Sequence, residues 1–389
     1  MHVCVVSFKE CWQDDTGQWV SYGGFPLQMA GIGTLFDEMT MVIIRGRPRA
    51  GGLPLPPHAK IMPLQRPTGD DTRRKLSVAT QLPYYLNTIK KGIQTADVVH
   101  TPVPGDISLL GLWMALLFRK KLLVRYGGSW IATSQTTLMN RVTRESMRRF
   151  AGGRNVMLAT GDGVEPPAPK MHWIFSTALS EAELSQIQPS LERGLSTSPR
   201  LMYAGRLSPE KGVANLIKAI AALKQESFGL LPQVTLAGDG PQRAELEALI
   251  MQLDCAEQVS LVGQLNRAEL SQAFLEADIC VQPSLTEGFS KAWLDAMAHG
   301  LPVIASEVGA GRAVIGDQGE RGWLLPPNDV PALTAMLREV VTISLDWPAL
   351  RHRCRTYVEG RTLEAWSQEI GQVCATQWGV KLIEGKLRP

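Results

Sequence analysis

Residues 277–311 read ADICVQPSLTEGFSKAWLDAMAHGLPVIASEVGAG. Asp278–Gln282 is a short run built on Ile279, Cys280 and Val281, and it stops at Pro283. Pro302–Ser306 is a second such run, and residues 290–299 between them read as a helix. Both runs are continuously apolar rather than alternating, which marks strands buried on both faces of a parallel sheet. Strand, helix and strand in that order make one βαβ unit.

The rhythm continues outward. Arg200–Ala204, Gln233–Ala237 and Val259–Val262 precede this unit as strands, and Gly322–Leu325 follows it. Helices are expected near 212–226, 242–254, 267–276, 329–342 and 346–377, the last of them broken. The first half repeats the scheme. Strands are expected at His2–Phe8, Met41–Arg45, Lys60–Leu64, Asp97–Val103, Lys121–Tyr126, Asn155–Thr160 and His172–Phe175. Helices are expected about 26–39, 72–94, 106–119 and 138–151. Two successive series of this kind predict an α/β chain of two doubly wound parallel-sheet domains. The mostly polar stretch 176–199 reads as the linker. That puts one domain at 1–175 and the other at 200–360, with a C-terminal helix at 361–389 expected to pack back on the first. Ligands of open parallel sheets bind beyond the carboxyl ends of the strands, so the site is expected in post-strand loops, in a cleft between the domains.

The 389 residues are 44% hydrophobic and 20% charged, which excludes a mainly disordered, collagen-like or disulfide-scaffold chain. The net charge of +3 is unevenly placed. Residues 1–175 carry 21 Lys+Arg against 12 Asp+Glu, and residues 176–389 carry 19 against 25. The basic residues of the first half cluster at Arg45-Arg47-Arg49, Arg73-Arg74-Lys75, Lys90-Lys91, Arg119-Lys120-Lys121 and Arg148-Arg149, the fourth close to Leu110, Trp113 and Phe118. Such charge suits an anionic membrane surface or a solvated face; no recognition motif supports nucleic acid. The six cysteines show no CxxC or zinc-like spacing and read as buried reduced thiols, as in the cytosol. The longest mostly apolar run, Ile107–Phe118, is twelve residues, too short to span a membrane. The N-terminal MHVCVVSFKECW has no basic n-region or small-residue cleavage site, so no secretion signal is expected.

Several loops carry candidate chemistry. Tyr203–Gly212, YAGRLSPEKG, follows a strand and leads into a helix. Arg206 and Lys211 there could hold an anion beside a positive helix end, Arg by forked contacts and Lys as a point charge, or could be two solvated surface cations. In PSLTEGFSKAWLD (283–295), Glu287 and Asp295 lie eight apart. Gly288 allows close backbone approach, and the amides of Gly288, Phe289 and Ser290 open a helix; a plain helix start with acids suited to its dipole is the other reading. Gly238 lies in a turn after QVTLA, and Gly23 and Gly24 form a glycine loop after the first strand. His100 ends a strand and reads as a core or loop-bracing histidine or as a cleft residue; Tyr126 and Gly127 are further possible cleft residues. GAGRAV (309–314) fails the dinucleotide fingerprint, because Val314 stands at the third glycine position. There is no GxxxxGK[ST], HExxH, GxSxG or DxD.

In order, YAGRLSPEKG, VTLAGDGPQRAEL, VSLVGQL, the stretch 277–311 and GERGWLLPPNDVPAL (319–333) resemble the second domain of GT-B-fold glycosyltransferases. The similar family is the large retaining one, glycosyl transferases group 1. The resemblance implies two Rossmann-like domains facing across a cleft. It implies that Arg206 and Lys211 grip the donor diphosphate next to Gly205. It also implies that Glu287 faces the transferred sugar, that the backbone from Gly288 to Lys291 holds phosphate, and that Asp295 meets the ribose. Glu287, Arg206 and Lys211 are the implied catalytic set. Metal and cofactor are not expected; a nucleotide-diphosphate sugar is the co-substrate. The acceptor would be a glycan, lipid-linked or small molecule, and the enzyme a hexosyltransferase. The cysteines and the N-terminus point to the cytoplasm, and the basic first half to the inner membrane leaflet or to a solvated face. Three positions depart from the pattern. Asp295 replaces the second Glu, Arg125-Tyr126-Gly127-Gly128 stands where His-Gly is usual, and Ala313 stands where a Glu is usual. A sugar-nucleotide epimerase and a non-catalytic partner subunit are the rivals on the same architecture.

Overall fold

The computed structural model describes residues 1–49, 51–69, 71–130 and 136–389. Within helix Asp71–Thr80 the side chains of Asp71, Thr72, Arg74 and Lys75 lie outside the description, so most of the second basic cluster does too. The chain forms two units, Met1–Ala178 with Leu363–Pro389, and Leu179–Thr362.

The first unit holds β1 (His2–Gln13), β2 (Trp19–Ser21), β3 (Glu38–Arg45), β4 (Leu53–Pro54), β5 (Ala59–Leu64), β6 (Val98–Val103), β7 (Lys121–Tyr126), β8 (Asn155–Thr160) and β9 (His172–Ile174). Its parallel strands run β5-β3-β1-β6-β7-β8-β9. β1 outlasts its expected end at Phe8. Its register against β3 shifts between Val6 and Glu10, and its far end pairs antiparallel with β2, which pairs with β4. Both sheet faces are buried, as the continuous apolar runs require. One face packs Tyr85, Ile89, Ile107 and Leu112. The other packs Met29, Ile32, Trp366 and Ile370, so helix Leu363–Trp378 is part of this unit's core.

The second unit holds β10 (Arg200–Ala204), β11 (Gln233–Ala237), β12 (Val259–Gly263), β13 (Ile279–Gln282), β14 (Val303–Ser306) and β15 (Gly322–Leu325). All pair in parallel, in the order β12-β11-β10-β13-β14-β15. The chain runs outward from β10 to β12 and then returns to β13 on the other side of β10. β10 and β13 therefore flank the switch point, where a crevice forms outside the strand ends.

The structure departs from the expected elements where local signals compete. Helix 26–39 stops at Thr34. Helix 72–94 is two helices, Asp71–Thr80 and Leu82–Gln94, with Pro83 in the first turn of the second, where a missing N–H costs nothing. The broken helix 346–377 is Trp347–Val358 and Leu363–Trp378, one in each unit.

The stretch 176–199, expected as a linker, divides at Ala178, and from Leu179 onward it belongs to the second unit. A buried carboxylate holds it there. Asp278 is fully buried; its Oδ2 lies 2.5 Å from the Ser196 hydroxyl and accepts the Arg200 N–H at 2.9 Å. The guanidinium groups of Arg193, Arg200 and Arg351 lie 3.7, 3.6 and 3.8 Å from the same carboxylate. Arg351, also buried, donates to the carbonyls of Arg193 and Gly300.

All six cysteines are buried and unpaired. Burial pushes the thiols of Cys4, Cys280 and Cys354 up to about 12. Among the described residues no helix is long and apolar enough to cross a membrane.

Candidate active site

Four post-strand loops of the second unit meet at the switch point. After β10, the Leu207 N–H donates to Asp239 in the loop after β11 at 3.0 Å, and the Tyr203 hydroxyl donates to the Arg206 carbonyl at 2.9 Å. The loop after β13 is tied to it by the Leu285 N–H, which donates to Glu210 at 2.8 Å. The loop after β14 is tied in turn by the Ala310 N–H, which donates to Gly288 at 2.9 Å. Two glycines permit this backbone-on-backbone packing. A Cβ on Gly238, at φ +143°, would sit 1.8 Å from the Gly205 carbonyl oxygen; one on Gly309, at φ +55°, would sit 2.2 Å from that of Glu287. Gly238, read as a turn, packs between the loops after β10 and β11.

Lys211 and Glu287 are 76 positions apart and form an ion pair across two of these loops, with 23% and 14% of their side chains exposed. Lys211 sits in the 3-10 turn Pro209–Lys211 directly ahead of helix Val213–Gln225. Arg206 is exposed and makes no ion pair among the described residues. Burial raises the Glu210 carboxyl, but the Ser208 hydroxyl at 2.6 Å, a backbone bond and the cations Lys211 and Arg206 outweigh it and hold it low. Burial, aided by Glu287, pushes the Tyr203 phenol up and keeps it protonated.

Helix Lys291–Ala298 starts at Ser290 with no side-chain cap, which leaves its first amides to other acceptors. Phe289 is buried, its ring 6.1 Å from Trp293, so the backbone of Gly288, Phe289 and Ser290, rather than the Phe289 ring, is what can face an anion. Lys291 opens the helix, half-buried. Asp295 is buried one turn on, and its Oδ1 accepts from Arg267 at 2.9 Å.

Arg267 was not legible as a site residue. The N-x-x-E capping box of Asn266 and Glu269 places it at the start of helix Arg267–Glu276, but nothing in the spacing says that it reaches Asp295 and Glu183. Burial works against its charge; the two carboxylates overcome this and raise it. His299 braces the same corner. Its Nδ1 lies 2.7 Å from the Asp295 carbonyl and its Nε2 2.7 Å from the Ser271 hydroxyl, and burial lowers its pKa.

In the first unit, Gly23 is exposed at φ +75° and Gly24 caps helix Phe25–Thr34. Gly127, just beyond β7, is exposed, and its N–H donates to Val103 at 2.7 Å. His100 and Tyr126 lie in the core of this unit. His100 is fully buried, donates through Nδ1 to the Leu123 carbonyl at 3.0 Å, and is lowered to about 3 by burial and by Arg125. Tyr126 is 1% exposed, edge-on to Trp130 at 5.4 Å. Both lie on inner strands of a sheet covered on both faces, where every side chain points into packing.

Residues 192–361 match the family model for glycosyl transferases group 1. That segment, somewhat under half of the chain, is similar to the family. The MMP alpha-(1->4)-mannosyltransferase of Mycolicibacterium hassiacum is 37% identical over 160 residues, 41% of this chain and 37% of that protein. The sulfoquinovosyl transferase SQD2 of Arabidopsis thaliana is 31% identical over 265 residues, 63% of this chain and 50% of that protein. The chain thus spans less than two thirds of the length of these curated relatives. In fold the likeness runs through both units. A sucrose-phosphate synthase from Thermosynechococcus elongatus superposes with a TM-score of 0.73 at 21% identity, over 97% of this chain and 99% of that one. Anabaena HepE, in complex with UDP and glucose, superposes with a TM-score of 0.70 at 17% identity, over 97% of this chain and all of that one. The fold is GT-B, two Rossmann-like domains.

Proposed function

We propose that the chain is a retaining hexosyltransferase that moves a sugar from a nucleotide-diphosphate sugar to a hydroxyl of a glycan, lipid-linked or small-molecule acceptor. The observation that carries this is the Lys211–Glu287 ion pair across two loops at the switch point, with Arg206 on the same loop as Lys211. Arg206 and Lys211 are the cations for the departing diphosphate, supported by the uncapped start of helix Lys291–Ala298. Glu287 faces the sugar, and Asp295, oriented by Arg267, takes the ribose hydroxyls. The acceptor hydroxyl attacks on the face from which the diphosphate leaves, and a donor phosphate oxygen takes its proton. The residues then contribute placement and charge stabilisation rather than acid–base transfer. The first unit holds the acceptor. Its place is cytoplasmic, peripheral on the inner leaflet.

Thermal-shift measurements against nucleotides and nucleotide sugars test the donor; UDP-glucose comes first because the Anabaena relative holds UDP and glucose. A ligand at about 100 times its Kd stabilises by ~2.7 kcal/mol, a plainly visible shift. Nucleotide release should then require acceptor. No stabilisation by any nucleotide, or release that ignores acceptor, would overturn the proposal.

The sequence contains no DxD, and among the described residues no three or more His, Cys, Asp or Glu stand close enough to hold a metal. With cationic side chains in the metal's role, transfer should persist in excess EDTA. Complete loss of activity, restored by magnesium, would refute this.

A further inference from the structure

On the peripheral-membrane part of that reading, we infer that helices Asp106–Leu117 and Leu138–Phe150 of the first unit form the face that docks on an anionic lipid bilayer. Leu110, Trp113 and Leu117 fall on one stripe of the first helix, and Trp113 and Leu117 are 43% and 76% exposed. On the second, Leu138, Met139 and Val142 are 76%, 40% and 42% exposed. The helices enclose a surface groove of about 370 Å³ lined by Trp113, Arg141, Val142, Glu145, Arg149 and Phe150, with Trp113 edge-on to Phe150 at 5.6 Å. Single exposed apolar side chains are ordinary; a run of them on two adjoining helices marks an interaction site.

Charge selects the occupant. Helix Leu138–Phe150 carries four arginines and one acid, Glu145. Arg144 is buried and donates to the Trp130 carbonyl at 2.8 Å. Arg148 lies over the Trp130 ring and 3.8 Å from Glu145. Arg141 and Arg149 are exposed at the groove and make no ion pair among the described residues. Much of the unit's other basic charge is engaged elsewhere. Lys120 donates to the carbonyls of Gln94 and Ala96, Lys121 lies over Trp378, and Arg49 and Arg66 pair with Glu10. The first unit still carries 24 Lys+Arg against 15 Asp+Glu, while the second carries 16 against 22. An amphipathic helix with unpaired arginines beside Trp and Leu side chains suits the plane of an anionic headgroup layer, where apolar burial and charge attraction act together.

Co-sedimentation of the full chain with two vesicle types tests this, without donor or transfer, so that its failure is separate from failure of the enzyme reading. One type is phosphatidylcholine alone, and the other contains about one third phosphatidylglycerol. The wild type should bind the anionic vesicles, and raised salt should weaken the binding. The Arg141→Gln, Arg149→Gln double variant should bind roughly 25-fold more weakly, at about fivefold per charge. Leu117→Ser, at an exposed position, should also weaken binding but leave its salt dependence intact. Lys90→Gln with Lys91→Gln removes the same charge from helix Leu82–Gln94 and should change binding little. Circular dichroism confirms that each variant is folded. Equal binding to both vesicle types, binding to neither, or equal loss in the two double variants would overturn the proposal; absence of vesicle binding would leave a protein partner for this face.

Discussion

Lys211→Ala should lower sugar-transfer turnover by about tenfold to a hundredfold while the protein stays folded. Lys211 joins the loops after β10 and β13 through Glu287, which is only 14% exposed. A charge-assisted hydrogen bond is worth roughly 1.5–3 kcal/mol, and each ~1.4 kcal/mol of lost transition-state stabilisation is a factor of ten in rate. The alanine variant also leaves the Glu287 carboxylate without its cation, close to where the diphosphate would gather charge. Arg206→Ala is the cleaner companion. Its side chain is exposed and has no ion pair among the described residues, so its removal should leave stability unchanged and still cost at least about tenfold. Steady-state turnover at saturating donor and acceptor, with circular dichroism as the check on folding, decides the matter. Wild-type turnover in either variant would remove the diphosphate role.

Asp278→Ala should destabilise the second unit by about 3–5 kcal/mol, the usual cost of leaving a buried charge without its partner. Arg351 is 1% exposed and would lose the carboxylate 3.8 Å away, while Ser196 and the Arg200 N–H would lose their acceptor. In urea, at roughly 2–3 kcal/mol per molar for a unit of this size, the transition should move down by about 1–2 M. Asp278→Asn keeps a hydrogen-bond acceptor but not the charge, and should fall between the two. The effect should also appear as proteolysis within 179–199, the stretch that this carboxylate pins through Ser196. An alanine variant with an unshifted transition would mean that the three guanidinium groups find other partners and that the carboxylate is dispensable.

The amino-acid sequence by itself determined most of the inner strands and the helices between them, though not every boundary. Continuous runs such as MVIIR, KLLVRY and ICVQ, short and β-branched, read as strands buried on both faces, and that pattern lies within a few consecutive residues. The loops bearing Arg206, Lys211 and Glu287 were legible for the same reason: each follows directly on such a strand, and strand ends are where α/β sheets bind. Tertiary structure decided which candidates share a site. His100 and Tyr126 looked like strand-end residues but are sealed by helices packed on both faces of their sheet. Arg267 meets Asp295 across 28 positions, and Ser196 meets Asp278 across 82. Spacing along the chain has no bearing on such pairs. They follow from the return of the chain past β10 to β13, which sets β13 beside β10 and brings together the segments that flank these strands. Strand order depends on how the whole set of apolar faces can be buried at once, so it is a property of the packed unit and of no local segment.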